Sequence, residues 1–451
     1  MLMNQPWMKG LNDLAVEKIQ AQEEGKALSL VMDTLDELAA RANDPLLYAR
    51  ADQLYDQIQA IPVRPDFPYK EPDALPEIHA LQVEKPALSL GNMDDDELYD
   101  RILGAWQARC AGCLLGQPVE GWHRARIQGL LRDTDNWLVR RYISSDIAPA
   151  LREKYDVTDE HGPYGSKLKN WINNVAFMPE DDDTSYTIFA LKLVETRGRD
   201  FTSEDVAEEW LSSLPLLRTC TAERVAYMNL SNLVLPPKSA TTHNPFREWI
   251  GAQIRGDFFG YINPGDPAAA ADMAYRDAAI SHVKNGIYGE MYAAAMIAAA
   301  FADGCPETIV RAGLSQIPHT SRLYAQADAL LQAWKRGVTL ETFLEGFYQR
   351  YDERNGHDWC HTIPNALLVT AGVLYHQMDF VSSIAFGVTA GFDTDCNAAT
   401  IGSIIGAAKG SKALPTEWIA PMNNTVRSCV TSYGELSMTD FARRTLALTV
   451  R

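Results

Sequence analysis

The stretch Phe392-Asp393-Thr394-Asp395-Cys396-Asn397-Ala398-Ala399-Thr400-Ile401-Gly402-Ser403-Ile404-Ile405-Gly406-Ala407-Ala408 decides the fold. From Ala398 to Ala408 every side chain is small or apolar and none is charged. A helix with no polar face is one surrounded by other helices. Ile287 to Ala302 reads the same way, with hardly a charge inside. Alternating strand patterns are scarce along the chain. The expected fold is therefore all-α, a single large helical domain built around Ala- and Gly-rich central helices.

The start of the same stretch has a different chemistry. Asp393 and Asp395 lie between the apolar run Ile384–Phe392 and the buried helix, with no Lys or Arg near them in sequence. Burying unpaired carboxylates costs several kcal/mol each. A second acidic group, Glu180-Asp181-Asp182-Asp183-Thr184, precedes the helix Ser185–Glu195. Both groups sit where a loop enters a helix, and there a turning backbone lets neighbouring side chains converge. Helix capping explains part of this, since Asp and Thr are good N-caps and acids suit a first turn. It does not explain Asp393 and Asp395 among apolar flanks. A hard divalent cation does, because Mg²⁺ prefers carboxylate, hydroxyl and water oxygens. Two such loops facing each other could hold two ions. A third candidate, Glu120, follows the Gly and Pro breakers of Gly116-Gln117-Pro118-Val119 at the end of the helix Leu98–Leu115, which opens after Asp94-Asp95-Asp96.

Outward from these motifs the chain divides into three parts. Residues 1–60 read as short helices: Leu28, Val31, Leu35 and Leu38 fall at helical spacing, and Asp44-Pro45 supplies a cap followed by a first-turn proline. Residues 61–93 form a linker or strap, with six prolines between Ile61 and Pro86. Residues 94–451 form the main domain. The N-terminal helices read equally as an accessory, an oligomerisation element or a cover. A 46% hydrophobic and 22% charged composition suits a well-cored globular chain. The formal charge of −18 and the lack of a basic cluster argue against nucleic acid as a partner. No apolar run approaches the roughly eighteen residues that span a bilayer, and no secretory signal is visible. With seven irregularly spaced cysteines, the expected address is cytoplasmic. Cys110-x-x-Cys113 reads as two small core residues, and His361 after Cys360 as no nucleophile, because chain neighbours rarely face each other.

Taken in this order the segments resemble the ADP-ribosylglycohydrolase family, which includes the glycohydrolase that reactivates dinitrogenase reductase and the ADP-ribosyl-acceptor hydrolases. The early Gly-Asp-Ala-hydrophobic-Gly-Ala-Pro-Val-Glu pattern is matched by Gly112–Glu120. The Thr-Asp-Asp-Thr motif is matched by Asp181-Asp182-Asp183-Thr184, and the late Gly-Asp-Thr-Asp-Thr motif by Phe392–Cys396 with the small-residue helix after it. Gly251-Ala252-Gln253-Ile254-Arg255 resembles a Gly-rich substrate loop, and Ser281-His282 a Ser-x-x-Thr-His-type helix end. Three positions depart from the family: Cys113 replaces its Asp, Asp181 its first-loop Thr, and Cys396 the closing Thr. A thiol is a poor Mg²⁺ ligand.

The resemblance implies the orthogonal helical fold of that family, with residues 1–60 as an extension. It implies a hydrolase cleaving the bond to C1 of a ribose, most simply removing ADP-ribose from a small-molecule or protein-linked substrate. It implies two Mg²⁺ ions, with Mn²⁺ as a substitute, held by Asp181, Asp182, Asp183, Asp393 and Asp395, with Cys396 beside them. Glu120, Asp182 and Asp395 would be the catalytic groups. Gly251, Gln253, His282, Asn285 and Gly286 would contact substrate, with backbone N–H groups receiving a diphosphate. Two further readings keep the fold: a catabolic N-ribosyl hydrolase acting on nucleoside-like compounds, and a non-catalytic relative that binds ADP-ribose or is structural. A haloacid dehalogenase-type phosphatase would want Asp-x-Asp after an early strand and Thr where Asn397 stands. A nucleoside hydrolase would want it near the N-terminus.

Overall fold

A computed structural model describes residues 5–8, 10–41 and 43–450. Among them helices predominate, and Thr425–Arg427 pairs with Glu435–Ser437 as a short antiparallel hairpin. The all-α expectation holds.

Two antiparallel helices, Asp95–Gly116 and Thr394–Lys409, form the axis. Asp94 opens the first, its carboxylate accepting the Glu97 N–H at 2.8 Å. The two helices meet along small residues spaced four apart, the spacing of a ridge on a helix surface. A Cβ on Gly112 would lie 2.1 Å from the Ala398 carbonyl oxygen, and one on Gly402 2.2 Å from that of Ala108. A Cβ on Gly406 would lie 2.2 Å from the Gly104 oxygen, and one on Gly116 2.4 Å from the Asp395 nitrogen. Backbone contact this close needs glycine on each helix. Because the helices run in opposite directions, the seam delivers Gly116–Glu120 onto Asp393–Asp395. Helix Asn285–Ala300 is buried along its whole length, as its lack of a polar face requires, and packs on Pro267–Ala278, Thr362–Tyr375 and the axis.

The N-terminal helices build a small core of their own from residues such as Leu11, Leu14, Leu35, Leu38, Leu54 and Ile58. Asp44 accepts the Leu46 N–H at 3.0 Å with Pro45 in the first turn. This unit docks through charge: Arg247 pairs with Glu17 at 2.6 Å and Glu24 at 2.7 Å, and Lys284 with Glu24 at 2.9 Å. The Pro-rich stretch lies as a strap on the main domain and contains the short helix Leu75–His79. Glu71 receives Arg322 at 2.9 Å and the Asn285 amide at 2.8 Å, and the Tyr288 hydroxyl donates to the Pro72 carbonyl at 2.5 Å. Among the described residues no helix is long and apolar enough to cross a membrane.

Candidate metal centre

The two acidic loops, about two hundred residues apart in the chain, converge. Ligand atoms of Cys113, Asp181, Asp183 and Asp395 lie within 4.8 Å of one another, and so do those of Asp393, Asp395 and Cys396. Asp395 belongs to both groups. Asp181 N-caps helix Asp182–Arg197, its Oδ1 accepting the Asp183 N–H at 3.0 Å, so capping and clustering are carried by one residue. Its Oδ2 receives the Gln117 amide at 2.6 Å, and Gln117 is in turn held by the Asn170 amide at 3.1 Å. On the other loop, the Asn365 carbonyl oxygen accepts the Asp393 N–H at 3.3 Å and the Asn397 amide at 2.8 Å. Thr394 is tied to the axis, donating to the Gly116 carbonyl at 3.1 Å. Phe392, just before Asp393, adopts φ 59°, in the left-handed region, which costs energy outside glycine.

One buried cation sits beside this cluster. Arg109, with no exposed surface, pairs with Asp183 Oδ1 at 3.1 Å and with Asp257 at 2.6 Å. It also donates to the carbonyls of Asp183 and Ile254, each at 2.7 Å. The other oxygen of Asp183 accepts the Cys113 thiol at 3.7 Å. Asp183 is thus largely satisfied by protein, whereas Asp395 Oδ1 is buried with no hydrogen-bond partner. An orphaned carboxylate oxygen beside Asp393 and Asp181 fits a divalent cation. The thiols fit less well: burial pushes both Cys113 and Cys396 far above the ordinary range, and Cys396 is hydrogen-bonded to Asp393.

Burial likewise raises the carboxyls, Asp393 to about 6 and Asp182, Asp183 and Asp395 well above their usual range. The charges of neighbouring acids add to this. Glu120 caps the turn Gln117–Val119, close enough to Asp393, Asp181 and Asp182 for their charges to act on it. Enclosure by protein, then the charges of Asp393, Asp181 and Asp182, push it well above a normal carboxylate, yet solvent still reaches its side chain. A carboxyl that is open to a ligand and whose pKa is raised is suited to acid–base work. Asp182 is half-buried, and Tyr164 and Glu223 lie near it.

The remaining residues singled out in the sequence are buried. Gly251 faces Glu223, whose Oε1 would lie 1.9 Å from a Cβ there. Gln253 begins a short 3₁₀ turn ending at Arg255, which is paired with Glu223 at 2.8 Å. His282 bonds the Ser281 hydroxyl at 2.8 Å through Nδ1, and its Nε2 has no partner. Asn285 accepts the Leu323 N–H at 3.0 Å besides holding Glu71, and Gly286 lies against Arg247 and His282. Cys110 is a core residue, as expected, but Cys113 belongs to the acidic cluster. His361 caps helix Thr362–Tyr375, accepting the Ile363 N–H at 3.1 Å. Arg109, Gln117, Asn170, Tyr164, Glu223 and Asn365 were not singled out. Of these only Gln117 lay inside a motif.

A family model described as ADP-ribosylglycohydrolase matches residues 94–448. Among solved structures, a chain of an ADP-ribosylglycohydrolase-related protein complex is 19% identical, with a TM-score of 0.42, over 78% of this chain and 98% of that one. A search of curated proteins finds no match.

Proposed function

Because the chain belongs to the ADP-ribosylglycohydrolase family, we propose that it is a metal-dependent hydrolase that breaks the bond between C1 of a ribose and its substituent, with ADP-ribosylated compounds as the substrate class. The observation that carries this reading is that Asp395 clusters with Asp181 on one side and with Asp393 on the other, with one of its own oxygens left unpartnered.

Asp181, Asp182, Asp393 and Asp395 would hold one or two Mg²⁺ ions, which when bound would orient the ribose hydroxyls and stabilise developing charge. The protein groups supply the rest. The Gln117 amide fixes where the Asp181 carboxylate points, and the Asn365 side-chain oxygen holds the Asp393 backbone N–H. Arg109 neutralises Asp183, lowering the mutual repulsion of the cluster. Cleavage of a ribosyl bond passes through an oxocarbenium-like state. Glu120 is placed to give a proton to the departing group as the C1 bond breaks, and to take one from the water that adds to C1.

The test is release of ADP-ribose from modified arginine and from O-acetyl-ADP-ribose, and of base from free nucleosides, with Mg²⁺ and with chelator. Mg²⁺-dependent release of ADP-ribose is expected. Turnover of nucleosides alone would replace this substrate with a nucleoside-like one, and inertness toward every riboside would reject catalysis.

A further inference from the structure

The acidic centre departs from an all-oxygen cation site in one respect: each of its two ligand groups contains a sulfur. Cys113 is gathered with Asp181, Asp183 and Asp395, and Cys396 with Asp393 and Asp395, the ligand atoms of each group lying within 4.8 Å of one another. Both thiols are buried, and they come from different helices. Cys113 lies in the last turn of Asp95–Gly116, and Cys396 in the first turn of Thr394–Lys409.

A buried cysteine usually behaves as a small core residue. Cys110, one turn before Cys113, is that case: it is fully buried and belongs to no ligand group among the described residues. Cys113 differs in what it faces. Its Sγ lies 3.7 Å from Oδ2 of Asp183, the oxygen opposite the one that Arg109 takes. Cys396 follows directly on Asp395, whose Oδ1 is buried without a partner. Both sulfurs are within ligand range of the one carboxylate that the two groups share.

Donor type decides which ion such a set prefers. Mg²⁺ demands oxygens in near-octahedral array, whereas thiolates select Zn²⁺ and other thiophilic ions. Zn²⁺ also accepts four mixed sulfur and oxygen ligands. The Cys113 group offers four protein atoms, the count of a closed zinc site. The Cys396 group offers three, the count that leaves one position for an outside ligand.

We infer that Cys113 and Cys396 are metal ligands that make this centre one for a thiophilic divalent ion, Zn²⁺ above all, with the Cys396 group holding the ion that is open to an outside ligand. On binding, the ion displaces each thiol proton to solvent and a metal–sulfur bond forms. Mg²⁺ can still be held by the carboxylates alone, at higher concentration. The inference rests on the reading of the cluster as a metal centre, but its test does not need turnover.

The test uses the metal-free full chain, with Cys396→Thr and Cys113→Ser beside it and circular dichroism to verify folding. Cd²⁺, a thiophilic probe, should raise a sulfur-to-metal charge-transfer band in the ultraviolet, weaker in each variant than in the wild type. The ratio of Zn²⁺ to Mn²⁺ affinity, read by competition with a chromogenic chelator, should fall at least ~10-fold in each variant. A wild-type spectrum without the band overturns the inference, whatever the variants do. A band of full strength in both folded variants belongs to other cysteines and overturns it too. Mn²⁺ binding and Mg²⁺-dependent ribosyl release with no Cd²⁺–sulfur band reject the thiol ligands and keep the proposed hydrolase. A thiol-dependent band with no turnover of any riboside, in Zn²⁺ or in Mg²⁺, keeps the thiolate centre and rejects that hydrolase.

Discussion

Replacing Arg109 by Met should destabilise the metal-free protein by about 3–5 kcal/mol, the cost of removing one partner from a buried charged network. The magnitude follows from what Arg109 holds. It is the guanidinium shared by Asp183 and Asp257, at 3.1 and 2.6 Å, with all three side chains fully buried. Met fills much of the volume, so the loss reads mainly as uncompensated charge. The deficit should depend on pH with a defined sign. Without Arg109 the two carboxyls sit still further above their unfolded values, so the folded variant binds more protons than the unfolded chain. Its stability is then present at low pH and lost as pH rises. Urea unfolding in chelator, followed by circular dichroism at pH 5 and pH 7.5, should show a larger deficit at pH 7.5. Arg109→Lys, which keeps charge but not the fork, should lie between the two. A loss below about 1 kcal/mol at pH 7.5, or an equal loss at both pH values, would refute the reasoning.

The acids of the centre make the same kind of statement about metal. Asp393 stands near 6 against 3.8 for an ordinary Asp, worth on the order of 3 kcal/mol that favours folding below the unfolded value and is lost as pH rises through about 6. The metal-free Tm should therefore fall between pH 5 and 7.5, and the gain in Tm on adding Mg²⁺ should be larger at pH 7.5. The helix seam predicts that Gly402→Ala costs about 1–3 kcal/mol, because its Cβ would lie 2.2 Å from the Ala108 carbonyl oxygen; Gly304→Ala, with open space around it, is the comparison in the same thermal melt. Glu120→Gln should lower kcat about 10²- to 10⁴-fold with little change in Tm, measured by ADP-ribose release; retained kcat would remove Glu120 from proton transfer. In the strap, Glu71→Gln should loosen residues 69–73, seen as faster hydrogen exchange there, since Glu71 carries both Arg322 and Asn285.

Much of the site was legible because its chemistry contradicts its surroundings. Asp393 and Asp395 between apolar segments have no structural reason to be there, and their pairing with 181–183 follows from that excess. The small-residue period of 398–408 likewise announced a central helix, though not that its glycines meet Ala108 and Gly104 across a seam. The parts that stayed hidden are single residues inside strong patterns. Arg109 is one charge in an apolar helix, and nothing local says that it counters acids 74 and 148 positions away. Asn365 lies in a helix that reads as core, and Tyr164 in a loop with no period. The Gly251–Gln253 and Asn285–Gly286 segments resemble exposed phosphate loops by composition, yet the chain folds them inside, where Glu223, Arg255 and Glu71 use their surroundings.

The most direct measurement is a Mn²⁺ titration, followed by loss of the free-ion electron paramagnetic resonance signal, on the wild type and on Asp395→Asn, which alters the residue common to both ligand groups. Saturable binding by the wild type, weakened at least ~100-fold in the variant with an unchanged helical spectrum, is the predicted result. Binding that is equal in the two proteins, or absent from the wild type, would contradict a metal centre at the meeting of the two acidic loops.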